Sequence, residues 1–218
     1  MKMRKTIFLL SAAVIMIGTA AGIWYAMDDS GLIFNTQSNE LGELTGGQNG
    51  DQTGKEARIE HYPLYYRPDS YPWDYLLHCT NDELRKEAAQ LALDAAANDM
   101  VGYDCGEYAC TLWEEAEKCG YDISRIDVPC AAQCATAVLT FYRCAACLLE
   151  IDELCEIDVD KSVWDMDDVL CETGLFEKIT DPARLHSPDG NQTGDIYVAE
   201  SRHTILQVSD GSAVEESE

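Results

Sequence analysis

The chain has 218 residues, 46% of them apolar, which is enough material for one ordinary hydrophobic core. Forty acidic residues against fifteen basic ones give a formal net charge of -25 at pH 7. A charge of this sign repels the phosphate backbone, so nucleic acid is excluded as a partner. We interpret the excess of carboxylates as a solvated surface.

The first residues of the chain predict export. Basic residues precede an uncharged apolar stretch, residues 7–27, which is long enough to cross a bilayer. The small residues Thr19, Ala20 and Ala21 also fit a cleavage site, so residues 1–27 are either a signal peptide or a membrane anchor. Both alternatives predict an extracytoplasmic protein that is secreted or bound to the membrane through this segment.

All ten cysteines lie between Cys79 and Cys171, and in an exported chain they suggest disulfides. Two pairs, at 130/134 and 144/147, have spacings that also occur in zinc sites. Both pairs fall in an apolar run that reads as a buried helix, where cysteines are core residues or bridge partners. The acidic run 150–160 lacks the glycine and the final glutamate of a calcium loop. We therefore predict no metal and no cofactor.

Turn-forming residues divide the chain. Residues 28–56 are rich in Gly, Asn, Gln and Thr and predict a linker, so the globular domain should span residues 57–218. Within it, residues 58–66 and 73–77 predict short strands. A capping box at residues 80–83 then predicts a helix that runs to about Asn98.

The second half of the chain predicts helices first and strands afterwards. Helices are expected from Cys105 to Gly120, from Pro129 through the cysteine-rich run, and over residues 162–172. Strands are expected at 195–199, at 203–208 and from Ala213 to the end. Helices packed on an antiparallel sheet make an α+β domain.

Two short motifs carry the predicted chemistry. One is Tyr103-Asp104-Cys105 at an expected helix start, and the other is Gly194-Asp195-Ile196 followed by His203-Thr204. Amide groups at a helix start and a nearby imidazole both lower the pKa of a thiol, so Cys105 is the predicted nucleophile. His203 would take its proton and return it to the leaving amine. For the other three histidines, His61, His78 and His186, a surface role is expected.

These motifs resemble those of the NlpC-type cell-wall cysteine peptidases in their phage-lysin form. The resemblance implies a papain-like fold and hydrolysis of an amide bond in peptidoglycan, which would be the main partner. One departure is Gly106, where the family usually has serine.

The resemblance also implies a polar third residue on the strand after the histidine. The usual spacing of the family falls on Glu215. A strict two-residue turn at Asp210-Gly211 would instead bring Glu216 onto the face of His203, since pairing register decides which side chains share a side. Glu215 is the predicted third catalytic residue, and Glu216 is the alternative.

The order of segments differs from that of the lysins this chain resembles. Their last strand runs on through glycine-rich, Gly-Asp-Gln-Thr-Gly-Lys-Glu and Pro-Trp-Asp elements, whereas here these elements lie before Cys105, at residues 39–74. This predicts a circular permutation in which residues 39–78, and 57–78 in particular, join the sheet that contains His203.

The sequence is compatible with two classes of function. The first is an exported cysteine hydrolase that cuts a stem-peptide bond or the muramoyl-alanine amide of peptidoglycan. The alternative is a catalytically inactive, cysteine-rich module of the same fold that binds at the cell surface or has a structural role there.

Overall fold

A six-stranded sheet forms the centre of the protein in the computed structural model, which describes residues 32–36, 57–61, 73–185, 190–200 and 202–210. The strands are β1 Leu32–Thr36, β2 Ala57–His61, β3 Tyr75–Cys79, β4 Val101–Tyr103, β5 Cys130–Ala132, β6 Phe176–Ile179, β7 Ile196–Ala199 and β8 His203–Gln207. The helices are α1 Asp82–Ala97, α2 Thr111–Lys118, α3 Cys134–Leu148, α4 Asp152–Cys155, α5 Met166–Cys171 and α6 Pro182–Leu185.

The large sheet has the strand order β2-β1-β8-β7-β3-β6, and all five pairings are antiparallel. A separate parallel pair joins β4 to β5, with Tyr103 opposite Ala132. The described residues thus confirm an α+β domain with helices on an antiparallel sheet.

Helix α1 forms for the reasons that its sequence suggests. Asn81 caps the helix, because its side-chain oxygen accepts bonds from the backbone amides of Glu83 and Leu84. The predicted apolar stripe is confirmed, since its four members are all buried: Leu84, Ala88, Leu91 and Ala95. The stripe packs against α3, the most apolar helix, and both helices cover one face of the sheet.

The opposite face of the sheet has its own smaller core. Strand alternation sends every second side chain to this face, and its members include Ile33, Leu76, Tyr197 and Ile205. Trp73 packs on this face, with its ring centroid 5.7 Å from that of Tyr197. The sheet therefore separates two apolar layers of unequal size.

The helix predicted from Cys105 begins later. Residues 105–110 form a bend and turns, and α2 begins only at Thr111. The helix predicted from Pro129 also begins later, because residues 130–132 pair with β4 as strand β5 and α3 begins at Cys134. Short strands of three residues carry too little periodicity to be seen in sequence.

The predicted linker contains a strand. Leu32–Thr36 lies inside residues 28–56 and pairs with both β2 and β8, so this part of the range belongs to the sheet. Strand β6 was also missed, because only two of its four residues are apolar and it forms one edge. Pairing partners distant in sequence stabilise both strands, and no local pattern reports them.

Several predictions fall outside the described residues. These are the signal peptide or anchor at 1–27, the last strand from Ala213, both candidate third residues Glu215 and Glu216, and His186. Within the ranges that are described, no helix combines the length and apolar character needed to cross a bilayer.

One disulfide, Cys147–Cys155, joins the end of α3 to α4. It removes the 144/147 pair from consideration as a zinc site, because Cys147 is already bonded. The other eight cysteines are free thiols, and Cys79, Cys130 and Cys144 are fully buried among them.

Burial of these three thiols predicts a loss of stability in alkali. It raises the pKa of Cys79 to about 11 and the pKa values of Cys130 and Cys144 to about 12. The unfolded chain ionises its thiols from about pH 8.5, so the folded state binds more protons above that pH and is progressively disfavoured. We expect the free energy of unfolding to fall by about 1.4 kcal/mol per thiol for each pH unit above about pH 9.

Denaturant unfolding of the reduced protein at several alkaline pH values measures this slope. The variant Cys144→Ala is the matched control and should lose the contribution of one thiol from the slope. An unfolding free energy that stays constant from neutral to strongly alkaline pH would contradict the prediction.

Candidate functional site

The first residue of α3 is a cysteine. Gln133 caps the helix and forms a capping box with Thr136, so the helix start is well defined. Cys134 follows directly and is 7% exposed. The partial positive charge of a helix start favours a thiolate at this position.

The thiol of Cys134 lies near the start of strand β8, an interior strand of the main sheet. Strand β1 pairs with β8 only at Leu206 and Gln207, so the backbone of Thr204 lies beyond that ladder. A hydrogen bond from the backbone of Thr204 acts on the Cys134 thiol and lowers its pKa. Backbone hydrogen bonds from Ala135 and from Cys134 itself act in the same direction.

Burial acts more strongly than these hydrogen bonds. It raises the pKa of the Cys134 thiol, and the negative charge of an ionised Cys105 raises it further. A thiolate at Cys134 therefore forms only when a base accepts its proton, and the surrounding amides then stabilise the anion.

Cys105 lies close to Cys134 but in a different setting. It is exposed and follows β4 in a bend, six residues before α2 begins. The buried carboxylate of Asp104 organises this bend, because it accepts bonds from the amides of Gly106 at 2.9 Å and Tyr108 at 2.7 Å. The helix-start environment that the sequence suggested for Cys105 is thus found at Cys134, and the nucleophilic role of Cys105 stays a prediction.

His203 is the first residue of β8 and is half-buried. It pairs with Ala199, and strand alternation puts it on the same face as Ile205, away from α3. Its neighbour Thr204 lies on the face of α3 and contacts the Cys134 thiol through its backbone. The imidazole of His203 and the thiol of Cys134 therefore lie at the same end of β8 but on opposite faces of the sheet.

The Gly-Asp motif before β7 has a structural explanation. Asp195 is 0% exposed, and its carboxylate lies 2.7 Å from Nδ1 of His78 and 3.1 Å from a guanidinium nitrogen of Arg184. It also accepts a bond from the backbone amide of Gln192 at 2.8 Å. Buried charges persist when they are paired and hydrogen-bonded in this way. The surface role expected for His78 is wrong, since it pairs with a buried carboxylate.

Gly194 brings the same loop against α1. The loop is held by Arg85, a helix residue only 3% exposed, which donates to the carbonyl oxygens of Cys79 and Thr193. The hydroxyl of Tyr142 in α3 donates to the carbonyl oxygen of Gly194. Through Arg85 of α1 and Tyr142 in the middle of α3, the motif anchors the sheet to both helices.

The apolar character of the run 131–149 predicts an interior helix and does not single out Cys134. The run is largely buried, but its first turn lies near the start of β8 and its amides hydrogen-bond the Cys134 thiol. The polar residues Gln133 and Thr136 around Cys134 were the available signal, since they mark a helix start. Among the residues that the structure describes, no cluster of three or more His, Cys, Asp or Glu side chains could hold a metal ion.

Neither a curated protein nor a solved structure matches the chain. A family model for the endolysin-like domain matches residues 33–214, from the second residue of β1 to beyond the end of β8. The match spans all the described strands in the order of this chain, so the segments that precede Cys105 are part of the domain. The protein belongs to the endolysin-like domain family.

Proposed function

We propose that the protein is an exported cysteine hydrolase that cleaves amide bonds of peptidoglycan, with Cys134 as the attacking thiol. The observation that carries this proposal is the position of Cys134 at the start of α3, within reach of the backbone of Thr204. Amides around a sulfur atom stabilise the thiolate, and they also suit the oxyanion that forms when a thiolate attacks an amide. Membership of the endolysin-like family supports the cell wall as the substrate.

His203 is the proposed general base, because it carries the His-Thr motif of the resemblance at the first position of β8, and its side chain would have to reach the thiol around the end of that strand. In the proposed reaction the imidazole accepts the thiol proton and returns it to the leaving amine. Glu215 is the proposed orienting residue, with Glu216 as its alternative. The scissile bond is either a stem-peptide bond or the muramoyl-alanine amide.

The NlpC-type assignment and the circular permutation belong to the same proposal. The permutation requires residues 57–78 to join the sheet of His203, and the pairings of β2 with β1 and of β3 with β7 support that requirement. The family model follows the order of this chain, so any permutation would be shared by the family. Export by the segment 1–27, with or without retention at the membrane, is likewise proposed.

One observation favours a second candidate, an inactive surface module. Strand alternation directs His203 away from the face of Cys134, and an imidazole that cannot approach the thiol cannot act as its base. Under this candidate the disulfide and the buried polar network serve only to hold a binding or structural domain together.

Release of free amines from purified cell walls tests the proposal. We expect the reduced full-length protein to release amines, and His203→Ala to lower the rate roughly 100-fold or more, as loss of a general base does. The exposed basic neighbour Arg202→Ala is the control and should keep the rate within a few-fold. The masses of the products identify the bond. No release of amines by the wild type would favour the second candidate, and equal measurable rates for wild type and His203→Ala would show that His203 is not the base.

A further inference from the structure

Cys105 and Cys134 are free thiols, and each lies two residues beyond the end of one strand of the parallel pair, β4 and β5. In the parallel pair, Val101 lies opposite Cys130 and Tyr103 lies opposite Ala132. If this register continued by two residues beyond the last pair, it would set Cys105 opposite Cys134. The amide of Asp104 donates a hydrogen bond to the carbonyl oxygen of Ala132 at 3.3 Å. The two segments are therefore still adjacent at the residue before Cys105.

The spacing of neighbouring strands suits a covalent bond. Adjacent strands lie about 4.8 Å apart, so the last paired residues, Tyr103 and Ala132, have a spacing that a disulfide can bridge, and the two cysteines lie two residues further on. The buried carboxylate of Asp104 fixes the bend that carries Cys105, and the capping box fixes the start of α3. The negative charges of the two thiolates each raise the pKa of Tyr103, and the charge of Cys105 raises the pKa of Cys134. These effects agree with a short distance between the two cysteines.

We propose that Cys105 and Cys134 form a reversible dithiol/disulfide site that reacts with low-molecular-weight disulfides. The exposed thiolate of Cys105 attacks one sulfur of the small disulfide, and the other half leaves as a thiolate. The Cys134 thiolate then attacks the Cys105 sulfur of this mixed disulfide, and the second half leaves. The two protons lost by the protein thiols go to the two released thiols, so the protein is oxidised as the small disulfide is reduced.

The consequence for activity rests on the proposed function. A Cys134 sulfur bonded to Cys105 cannot attack a substrate, so oxidation should stop hydrolysis and reduction should restore it. Cys105 would then make the site sensitive to the redox state of its compartment. The disulfide with Cys105 would reversibly inactivate Cys134.

Peptide mapping tests the bond independently of activity. The reduced full-length protein is incubated with oxidised glutathione, its remaining thiols are alkylated, and it is digested with a glutamate-specific protease, which separates Cys105 from Cys110 at Glu107. We expect a linked pair of peptides whose fragmentation joins Cys105 to Cys134. The link should be absent in Cys105→Ser and unchanged in the control Cys110→Ser. Alkylation of both thiols in the oxidised wild type, or a link of Cys105 to another cysteine, would overturn the proposal.

Hydrolysis of cell walls by the same samples separates the two proposals. We expect oxidised glutathione to lower the wild-type rate at least tenfold, dithiothreitol to restore it, and Cys105→Ser to resist the oxidant. A mapped disulfide in a protein that never releases amines would leave the redox site intact and overturn the proposed hydrolase. Full activity in a protein with the mapped disulfide would instead show that Cys134 is not the nucleophile.

Discussion

The substitution Gly194→Ala should destabilise the protein more than the same change at Gly120, Gly174 or Gly190, the other described glycines with positive φ. Gly194 has φ +90°, a conformation that residues with a side chain rarely adopt. A Cβ atom at this position would lie 2.5 Å from Cβ of Arg85 and 2.8 Å from its backbone oxygen. Backbone strain and overpacking together predict a loss of about 3 kcal/mol or more in the free energy of unfolding.

Gly174→Ala is the matched control for this prediction. Gly174 has φ +74°, but a Cβ atom there would meet nothing within 4 Å, so only the backbone term of about 1 kcal/mol applies. Denaturant unfolding of the two variants and the wild type measures the difference. Equal losses for both variants would mean that the close approach of Gly194 to α1 does not restrict this position.

We expect Gly194→Ala to weaken the contacts of Arg85 and Asp195 as well. Arg85 donates to Thr193 and to the carbonyl oxygen of Cys79, so moving the helix away from Gly194 also strains the connection to β3. Asp195 is the next residue, and its pairing with His78 and Arg184 depends on the same loop. Loss of a charged partner by a buried carboxylate strongly destabilises the folded protein.

The second large effect concerns the thiols of Cys134 and Cys105. We expect Cys134→Ala to abolish the release of amines from cell walls, with a loss of about 1,000-fold or more, because no other group at the helix start can form the covalent intermediate. Cys105→Ala should retain the rate within a few-fold under reducing conditions. The measurement is the same assay, with circular dichroism used to verify that both variants are folded.

The opposite pattern is equally informative. Loss of activity in Cys105→Ala with retention in Cys134→Ala would support the nucleophile suggested by the sequence motif, and it would assign the helix-start cysteine to the core. Cys110→Ala is the control for both variants. Burial and the carboxylate of Asp160 raise the pKa of Cys110 to about 12, so it is a poor nucleophile and its loss should leave the rate unchanged.

Local patterns in the sequence were sufficient for some parts of the fold. The stripe of α1, the strands β7 and β8 and the α+β class all follow from periodicity and turn residues, which act over a few neighbours. The same kind of pattern did not reveal β1 or β5. Their hydrogen-bond partners are distant in the chain, and a three-residue strand has almost no periodicity of its own.

The sequence by itself determined the residues of the proposed site: cysteines ahead of a histidine on a late strand, with a Gly-Asp motif between them. Only the tertiary structure decided which cysteine stands at a helix start beside that strand, because β4 and β5 shift the start of α3 to Cys134. The structure also decided that Gly194 and Asp195 anchor the sheet to two helices. The physical reason is that a side chain's chemistry depends on burial and on amide partners, and these come from parts of the chain that no local motif contains.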